Sequence, residues 1–296
     1  MYFIIFLLIL QERIYMKRFL FILLLLISTQ VNAKMKIVAT YPPIQSLVLQ
    51  ITQGVYPVGI IHKKGAKHHH VELKPSQMKS LQKADIVFFA GKELESYIPQ
   101  AVQTVCPNAL VVPLIENHHL KTKNHPLHLT QTDMHFWLDI DNAIASLDKI
   151  EAVMSQQDPK NKEKFLSNKQ KAIEYLKSLK EKASVIPQDK KFVALHEGFD
   201  YFFDYFNING TTLAIEPEEI STPAKIKNFR EQIKQINPDC IIIEPSLSND
   251  DKSKLGLDDY NLQRMDAFGW NINNGAPQLY RMFMWDIEQL KKCSQK

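Results

Sequence analysis

The sequence is short of the features that mark several classes of protein. Glycine occurs only 9 times in 296 residues, and the chain has no collagen-like or low-complexity stretch. No repeat of fixed period is present, so nothing indicates a solenoid or a propeller. With 45% hydrophobic and 23% charged residues, the composition is that of an ordinary globular protein. The length fits one large or two modest domains.

An excess of charge of one sign is also lacking. The formal net charge is +4, and it falls to +2 once residues 1–33 are set aside, because they carry three basic residues and one acidic residue. No basic run is interleaved with aromatic residues. Both observations argue against a nucleic-acid partner.

The first 33 residues have the plan of a secretory signal peptide. Basic Lys17 and Arg18 precede an entirely apolar run at 19–27, and small Ala33 ends a short polar stretch. No cysteine follows the apolar run to carry a lipid. We therefore expect export to the periplasm, cleavage after residue 33, and no stable membrane insertion of the mature chain.

Residues 1–15 do not fit this plan, since a second apolar run at 1–10 has no basic residue before it. We expect translation to start at Met16. The alternative, a transmembrane hairpin, is disfavoured because each run is far shorter than the ~20 residues that a spanning helix needs.

The mature sequence alternates strand-like and helix-like segments. Strands are predicted at 36–40, 58–61, 85–90 and 109–113, and then at 192–195, 211–214, 240–244 and 262–265; the helices between and after them are predicted at 42–53, 75–83, 199–206, 223–236 and 277–292. Such alternation is typical of parallel sheets with helices on both faces. A polar loop at 116–132 and a long helix at 158–182, with Asp158 as its N-cap, interrupt the pattern.

These elements predict an α/β protein with two parallel-sheet lobes joined by a single long helix. The predicted limits are an N-terminal α/β lobe at 34–157, a linking helix at 158–184 and a C-terminal α/β lobe at 185–296. The crevice between the lobes is the expected place for a ligand.

The ten histidines are unevenly placed, and nine of them lie between residues 62 and 135. Neutral imidazole is the commonest metal ligand, although a cluster of histidines can also be a solvated loop. Position favours ligands here, because side chains beyond the carboxyl ends of strands face the ligand crevice in open α/β sheets. Residues 68–70 follow the second predicted strand, His196 ends the fifth, and Asp266 ends the eighth. With His135 they could give Zn²⁺ three imidazoles and one oxygen.

Five segments, in order, resemble the metal-binding solute-binding proteins of ABC transporters. They are GAKHHHVELKPS at 65–76, DMHFWL at 133–138, LHEGFDYF at 195–202, IEPEE at 215–219 and MDAFG at 265–269. The resemblance covers roughly residues 36–293 and is greatest to the ZnuA-type zinc-uptake subgroup, which carries a histidine-containing loop before its D-x-H segment.

The resemblance implies a ligand set and a partner. The ligands would be His69, His135 and His196. The fourth position varies in the family, so that Asp266, His68, His70 or water remains open. It further implies that Zn²⁺ is the transported ligand, that the loaded protein docks on a membrane permease, and that the protein is not an enzyme. We expect a monomer.

The resemblance also implies a disulfide between Cys240 and Cys293, since similar pairs occur in zinc members of the family and export permits oxidation. Cys106 would then stay a free thiol. His118, His119, His125 and His128 form a weaker zinc site in our hypothesis, with a merely solvated loop as the alternative.

Two other functions stay open. A manganese- or iron-binding protein of the same family is one, because the histidine loop is modest for the zinc subgroup, although Mn²⁺ is expected to prefer more carboxylate than this set offers. A secreted zinc hydrolase is the other, with Glu197 beside His196 as a conceivable general base. The sequence lacks an H-E-x-x-H helix and a G-x-S-x-G elbow, which argues against hydrolysis.

Overall fold

Two four-stranded parallel sheets organise the described part of the chain. The computed structural model describes residues 34–62, 73–116, 120–124, 132–213, 215 and 222–293. The first sheet holds β1 (Ile37–Ala39), β2 (Val58–Ile60), β3 (Ile86–Phe89) and β4 (Leu110–Pro113), and the second holds β5 (Phe192–Ala194), β6 (Gly210–Thr212), β7 (Cys240–Ile243) and β8 (Leu262–Arg264). The predicted α/β class with two lobes is confirmed.

Both sheets have the same strand order. It is β2-β1-β3-β4 in the first sheet and β6-β5-β7-β8 in the second. The chain therefore changes direction across each sheet between its two central strands, β1 and β3 or β5 and β7. Open α/β sheets bind ligands beyond the carboxyl ends of the strands at this switch point.

Ten α-helices surround the sheets within the described ranges. They are α1 (Pro42–Thr52), α2 (Pro75–Leu81), α3 (Lys92–Glu95), α4 (Tyr97–Val105), α5 (Ile140–Gln157), α6 (Lys162–Lys182), α7 (Phe199–Phe206), α8 (Pro223–Ile236), α9 (Asn249–Leu255) and α10 (Gln278–Lys292). Proline at the first helical position starts α1, α2 and α8, where its missing N–H costs no helical hydrogen bond. None of these helices is both long and apolar enough to cross a bilayer.

The long helix begins later than the sequence predicts. The helix α6 starts at Lys162, after a 3₁₀ turn at Pro159–Asn161. Asp158 does not cap it, because its carboxylate accepts hydrogen bonds from Tyr56 Oη and Asn161 Nδ2, each at 2.6 Å. The helix α5 precedes it, and Asp139 caps that helix by accepting from the backbone N–H groups of Asp141 and Asn142. No helix is predicted from the sequence at the position of α5.

Alternation along β5 separates two hydrophobic clusters. Phe192 and Ala194 point into the largest cluster, which contains residues from both sheets. Val193 and Leu195 point into a smaller cluster on the other face of the second sheet. His196 continues the first face by the two-residue period of a strand. The strand thus aims this imidazole at the large core.

The predicted disulfide is present. Cys240, at the start of β7, is bonded to Cys293, which follows the last turn of α10, and their Cα atoms are 5.8 Å apart. Cys106 is a free, half-buried thiol whose Sγ donates to the Ala84 carbonyl oxygen. The bridge fixes the closing helix to the second sheet. The predicted lobe limits at residues 157 and 184 stay predictions, and the signal peptide lies outside the described residues.

Candidate metal centre

His135 is held by the residue two positions before it. The backbone N–H of His135 donates to Asp133 Oδ1 at 2.9 Å, and its ring Nδ1 lies 2.8 Å from the same oxygen. A carboxylate only accepts, so Nδ1 carries the proton and Nε2 presents its lone pair. Only 2% of His135 is exposed, and its Nε2 is buried with no hydrogen-bond partner. Buried polar atoms normally have partners, so this nitrogen is suited to a metal ion.

A tyrosine from the second lobe supports this arrangement. The Tyr201 hydroxyl, on α7, donates to the backbone oxygen of Asp133 at 2.8 Å. The same hydroxyl accepts from the backbone N–H of Lys123 at 2.9 Å. Asp133 also donates its own N–H to the Lys123 carbonyl oxygen at 2.8 Å. The segment that carries His135 is therefore tied to α7 through a buried network.

His196 lies against His135. The two ring centroids are 5.1 Å apart, and the ring planes meet at 81°. Gly198 allows the approach: its φ is +93°, and a Cβ placed there would come within 2.4 Å of His135 Cβ. Only glycine adopts this conformation readily and leaves that space. The tight turn between β5 and α7 thus brings the second imidazole to the first.

The spacing of the two rings fits one shared ion. Two imidazoles bound to a tetrahedral Zn²⁺ at Zn–N distances of about 2.05 Å would have centroids about 5.2 Å apart. The observed 5.1 Å matches this separation.

Acidic groups surround the pair. Glu244 Oε1 lies 3.6 Å from His196 Nε2. Burial lowers the pKa of His135, but the charge and hydrogen bond of Asp133, together with the charges of Glu197 and Glu244, raise it, and the pKa is raised overall. The negative surroundings that favour a proton on His135 also favour a metal cation there. Glu244 is not among the site residues predicted from the sequence, although it closes the predicted strand at 240–244.

The Asp266 carboxylate accepts hydrogen bonds at one oxygen, and its other oxygen has no hydrogen-bond partner. Its Oδ2 accepts from the backbone N–H of Asn271 at 2.8 Å and from the Asn271 side-chain amide at 3.1 Å. Its Oδ1 is buried with no hydrogen-bond partner. The neighbouring Asp286 accepts from the Asp266 backbone N–H at 3.2 Å, and burial raises the pKa of Asp286 well above its ordinary value.

Aromatic side chains enclose the imidazoles. The Phe268 ring lies 5.1 Å from the His135 ring and 6.3 Å from the His196 ring. Trp137 meets His135 at 5.4 Å, and its indole N–H donates to the Ala267 carbonyl oxygen at 2.8 Å. This apolar wall limits water around the two imidazoles, which would strengthen their electrostatic attraction for a cation.

The other predicted metal residues lie outside the described ranges. These are His69 with its neighbours His68 and His70, and the loop histidines His118, His119, His125 and His128. Within the described ranges, no three His, Cys, Asp or Glu side chains are grouped closely enough to hold a metal ion by themselves. The structure brings His135 and His196 together and places Glu244 beside them; His69 and Asp266 as ligands stay predictions.

A second buried polar cluster lies at the switch point of the first sheet. Glu95 Oε2 accepts from Thr40 Oγ1, just after β1, and from the backbone N–H of Ala90, just after β3. His62, after β2, has its Nε2 2.8 Å from Tyr97 Oη and 3.9 Å from Glu95 Oε1. Burial raises the pKa of Glu95 to about 8 and lowers the pKa of His62 to about 4.

The fold and this site define a class: a two-lobed α/β protein with a close pair of imidazoles beyond its strand ends, as expected of a metal-binding protein. A profile of the family described as zinc-uptake complex component A, periplasmic, matches residues 37–293. The chain belongs to this family. Its members are the substrate-binding components of ABC metal transporters, which are not enzymes, so the protein is a metal-binding protein of that kind.

Individual relatives are distant in sequence, but the alignments cover most of both chains. The chain is 26% identical over 277 residues to a metal ABC transporter substrate-binding lipoprotein of Lactococcus lactis subsp. lactis (strain IL1403), covering 88% of each chain. It is 22% identical to the high-affinity zinc uptake system protein ZnuA of Brucella suis biovar 1 (strain 1330), covering 88% of this chain and 92% of that one.

Among solved structures, the fold is similar to that of the substrate-binding protein FpvC of Pseudomonas aeruginosa in complex with Mn²⁺. The TM-score is 0.75 at 18% identity, with 88% of this chain and 99% of that chain covered. At this identity the structural similarity supports the fold and does not show which metal the protein binds.

Proposed function

We propose that this protein captures Zn²⁺ in the periplasm and delivers it to the membrane permease of an ABC importer. One observation carries the choice of a metal site: the imidazoles of buried His135 and partly buried His196 meet at the spacing of ligands to a single tetrahedral ion. Zinc is favoured over other cations because imidazole nitrogen suits it.

In the proposed site, His69 from the first lobe completes three imidazoles with His135 and His196. Asp266 or water takes the fourth position in the sequence-based set. Ligands from both lobes would hold the ion in the crevice. The proposal includes a cleaved signal peptide at 1–33 and a monomeric mature chain.

Manganese is the second candidate, and a specific observation favours it. Glu244 and Asp266 place two carboxylates at the carboxyl ends of β7 and β8, in the sheet that carries His196. Carboxylate oxygen suits Mn²⁺ better than imidazole does. FpvC, which has a similar fold, was solved in complex with Mn²⁺, and the test therefore includes Mn²⁺.

The test is metal analysis of mature protein purified without chelators, followed by competition between Zn²⁺ and Mn²⁺. We expect one equivalent of tightly bound metal, with Zn²⁺ displacing Mn²⁺. His135→Ala and His196→Ala should each weaken binding by more than about tenfold, because each removes a direct ligand. Full affinity and one-to-one stoichiometry in His196→Ala would overturn the two-lobe site.

A further inference from the structure

Glu244 occupies a position that the strand register relates directly to His196. In the second sheet β5 pairs with β7, with Phe192 opposite Cys240 and Ala194 opposite Ile242. The backbone N–H of Leu195 continues this ladder by donating to the Ile242 carbonyl oxygen at 2.9 Å. Continuing the same offset places Glu244 opposite His196. Residues that are opposite one another in neighbouring strands point to the same face of the sheet.

These two residues also lie where the sheet changes direction. The order β6-β5-β7-β8 puts the switch point between β5 and β7. His196 is the second residue beyond β5, and Glu244 is the first beyond β7. Both side chains therefore stand beyond carboxyl ends at the place where this type of sheet binds ligands.

The distance between the two functional groups is that of two donors to one ion. Two ligands of a tetrahedral cation with bonds of about 2.1 Å have their donor atoms about 3.4 Å apart. Glu244 Oε1 and His196 Nε2 are 3.6 Å apart, which exceeds the usual 2.7–3.2 Å range of an N–H···O hydrogen bond. Ser246 Oγ donates to the other oxygen, Oε2, at 3.2 Å, so the carboxylate keeps Oε1 directed at His196.

We propose that Glu244 supplies an oxygen ligand to the cation bound by His135 and His196, and that this oxygen sets how well the site accepts Mn²⁺ relative to Zn²⁺. The inference rests on the proposed metal-capture function and deepens it. Glu244, which follows β7, would be the third donor to an ion whose first two donors are the imidazoles of His135 and His196. Because no three such side chains are grouped closely enough in the described ranges, Glu244 would have to turn toward His135 when the ion binds.

The consequence for selectivity follows from ligand chemistry. Imidazoles alone favour Zn²⁺, whereas each added carboxylate oxygen improves the site for Mn²⁺. Removing the charge at Glu244 should therefore weaken Mn²⁺ binding more than Zn²⁺ binding. Glu197 provides a matched control: its negative charge also acts on His135, and it follows His196 directly in the chain.

The experiment compares the mature wild-type protein with Glu244→Gln and Glu197→Gln, with folding checked by circular dichroism and thermal melting. Dissociation constants for Zn²⁺ and Mn²⁺ are measured by competition with a chromophoric chelator. For Glu244→Gln we expect the ratio of the Mn²⁺ to the Zn²⁺ dissociation constant to rise at least about tenfold. The visible spectrum of the Co²⁺-loaded protein should change in Glu244→Gln and stay that of wild type in Glu197→Gln.

Each outcome decides the question. A raised ratio with an altered Co²⁺ spectrum in Glu244→Gln alone supports the ligand role. An unchanged ratio in Glu244→Gln, or an equal change in Glu197→Gln, overturns it while leaving metal capture intact. Failure of the wild-type protein to bind either metal at one equivalent would instead contradict the proposed function itself.

Discussion

At the scale of single residues, the pair Asp133 and His135 shows how a short motif prepares a ligand. One carboxylate oxygen receives both the backbone N–H and the ring N–H of His135. This fixes the direction of the ring and the nitrogen that carries the proton. Such supporting groups commonly matter for metal affinity almost as much as the ligand itself.

Asp133→Asn removes this support. We expect metal affinity at pH 8 to fall by about 10- to 100-fold, because the ring loses its fixed orientation and tautomer. Asp133 is also the main group that raises the pKa of His135. The pKa that governs proton competition in the pH dependence of the dissociation constant should therefore move downward in the variant. Calorimetric titrations between pH 5 and 8 test both effects, with exposed Asp141→Asn as the control.

Gly198→Ala tests the close approach of the two imidazoles. The added Cβ would clash with His135 in a backbone conformation that alanine adopts poorly, so we expect both lower thermal stability and weaker metal binding. Gly256→Ala is a matched control, because Gly256 also has a positive φ, of +72°, but faces Arg230. It should lower the melting temperature and keep the metal affinity. Equal affinity in both variants would show that the approach is unimportant.

At the scale of elements, the disulfide joins the closing helix α10 to β7. It closes a loop with a sequence separation of 53 residues, and the chain-entropy relation gives about 3–4 kcal/mol of stabilisation for a loop of this size. The Cys240→Ser/Cys293→Ser double variant should thus melt several degrees lower than the oxidised wild type. Differential scanning calorimetry measures this, and Cys106→Ser should melt close to wild type. A double variant as stable as oxidised wild type would contradict the expectation.

Elements with a strong local signal could be predicted from the sequence. The helices α7 and α8 have the predicted limits, since one is dense in aromatic residues and the other starts at a proline. Strands such as β7 were predicted within one residue, because they are continuous apolar runs. The helix α5 was missed because its cap, Asp139, directly follows the buried FWL segment, and the polar loop before it hid the start.

Residues of the site divide in the same way. His135 and His196 stand in recognisable motifs, and the structure brings them together. Tyr201 could not be assigned from sequence, because its contact with Asp133 joins residues 68 positions apart. The position of Glu244 beside His196 could not be predicted, because it depends on the register of β5 and β7. Local sequence patterns identify the candidate ligands, whereas the groups around them depend on packing between distant segments.

At the scale of the whole molecule, Glu95 makes stability depend on pH. Its folded pKa of about 8 lies above the ordinary 4.5, so the folded chain retains a proton that the unfolded chain releases. Stability from this group is complete below pH 4.5 and is lost as pH rises toward 8. Glu95→Gln removes the effect. Its melting temperature relative to wild type should rise between pH 5 and 8.

Thermal melts of both proteins across this range check the prediction. Exposed Glu163→Gln serves as a control, for which the difference from wild type should stay constant with pH. A constant difference for Glu95→Gln as well would mean that Glu95 is ionised in the folded protein. In that case His62, 3.9 Å away, would be its counter-ion.

The indole of Trp137 gives the molecule an internal optical reporter. It is fully buried, its N–H is engaged with Ala267 from the second lobe, and its ring edge meets His135. Tryptophan emission responds to nearby charge and to hydrogen bonding of the indole. Arrival of a divalent cation at His135, or a shift of one lobe against the other, would change its fluorescence. Cargo loading and release could then be followed in real time on the unlabelled protein.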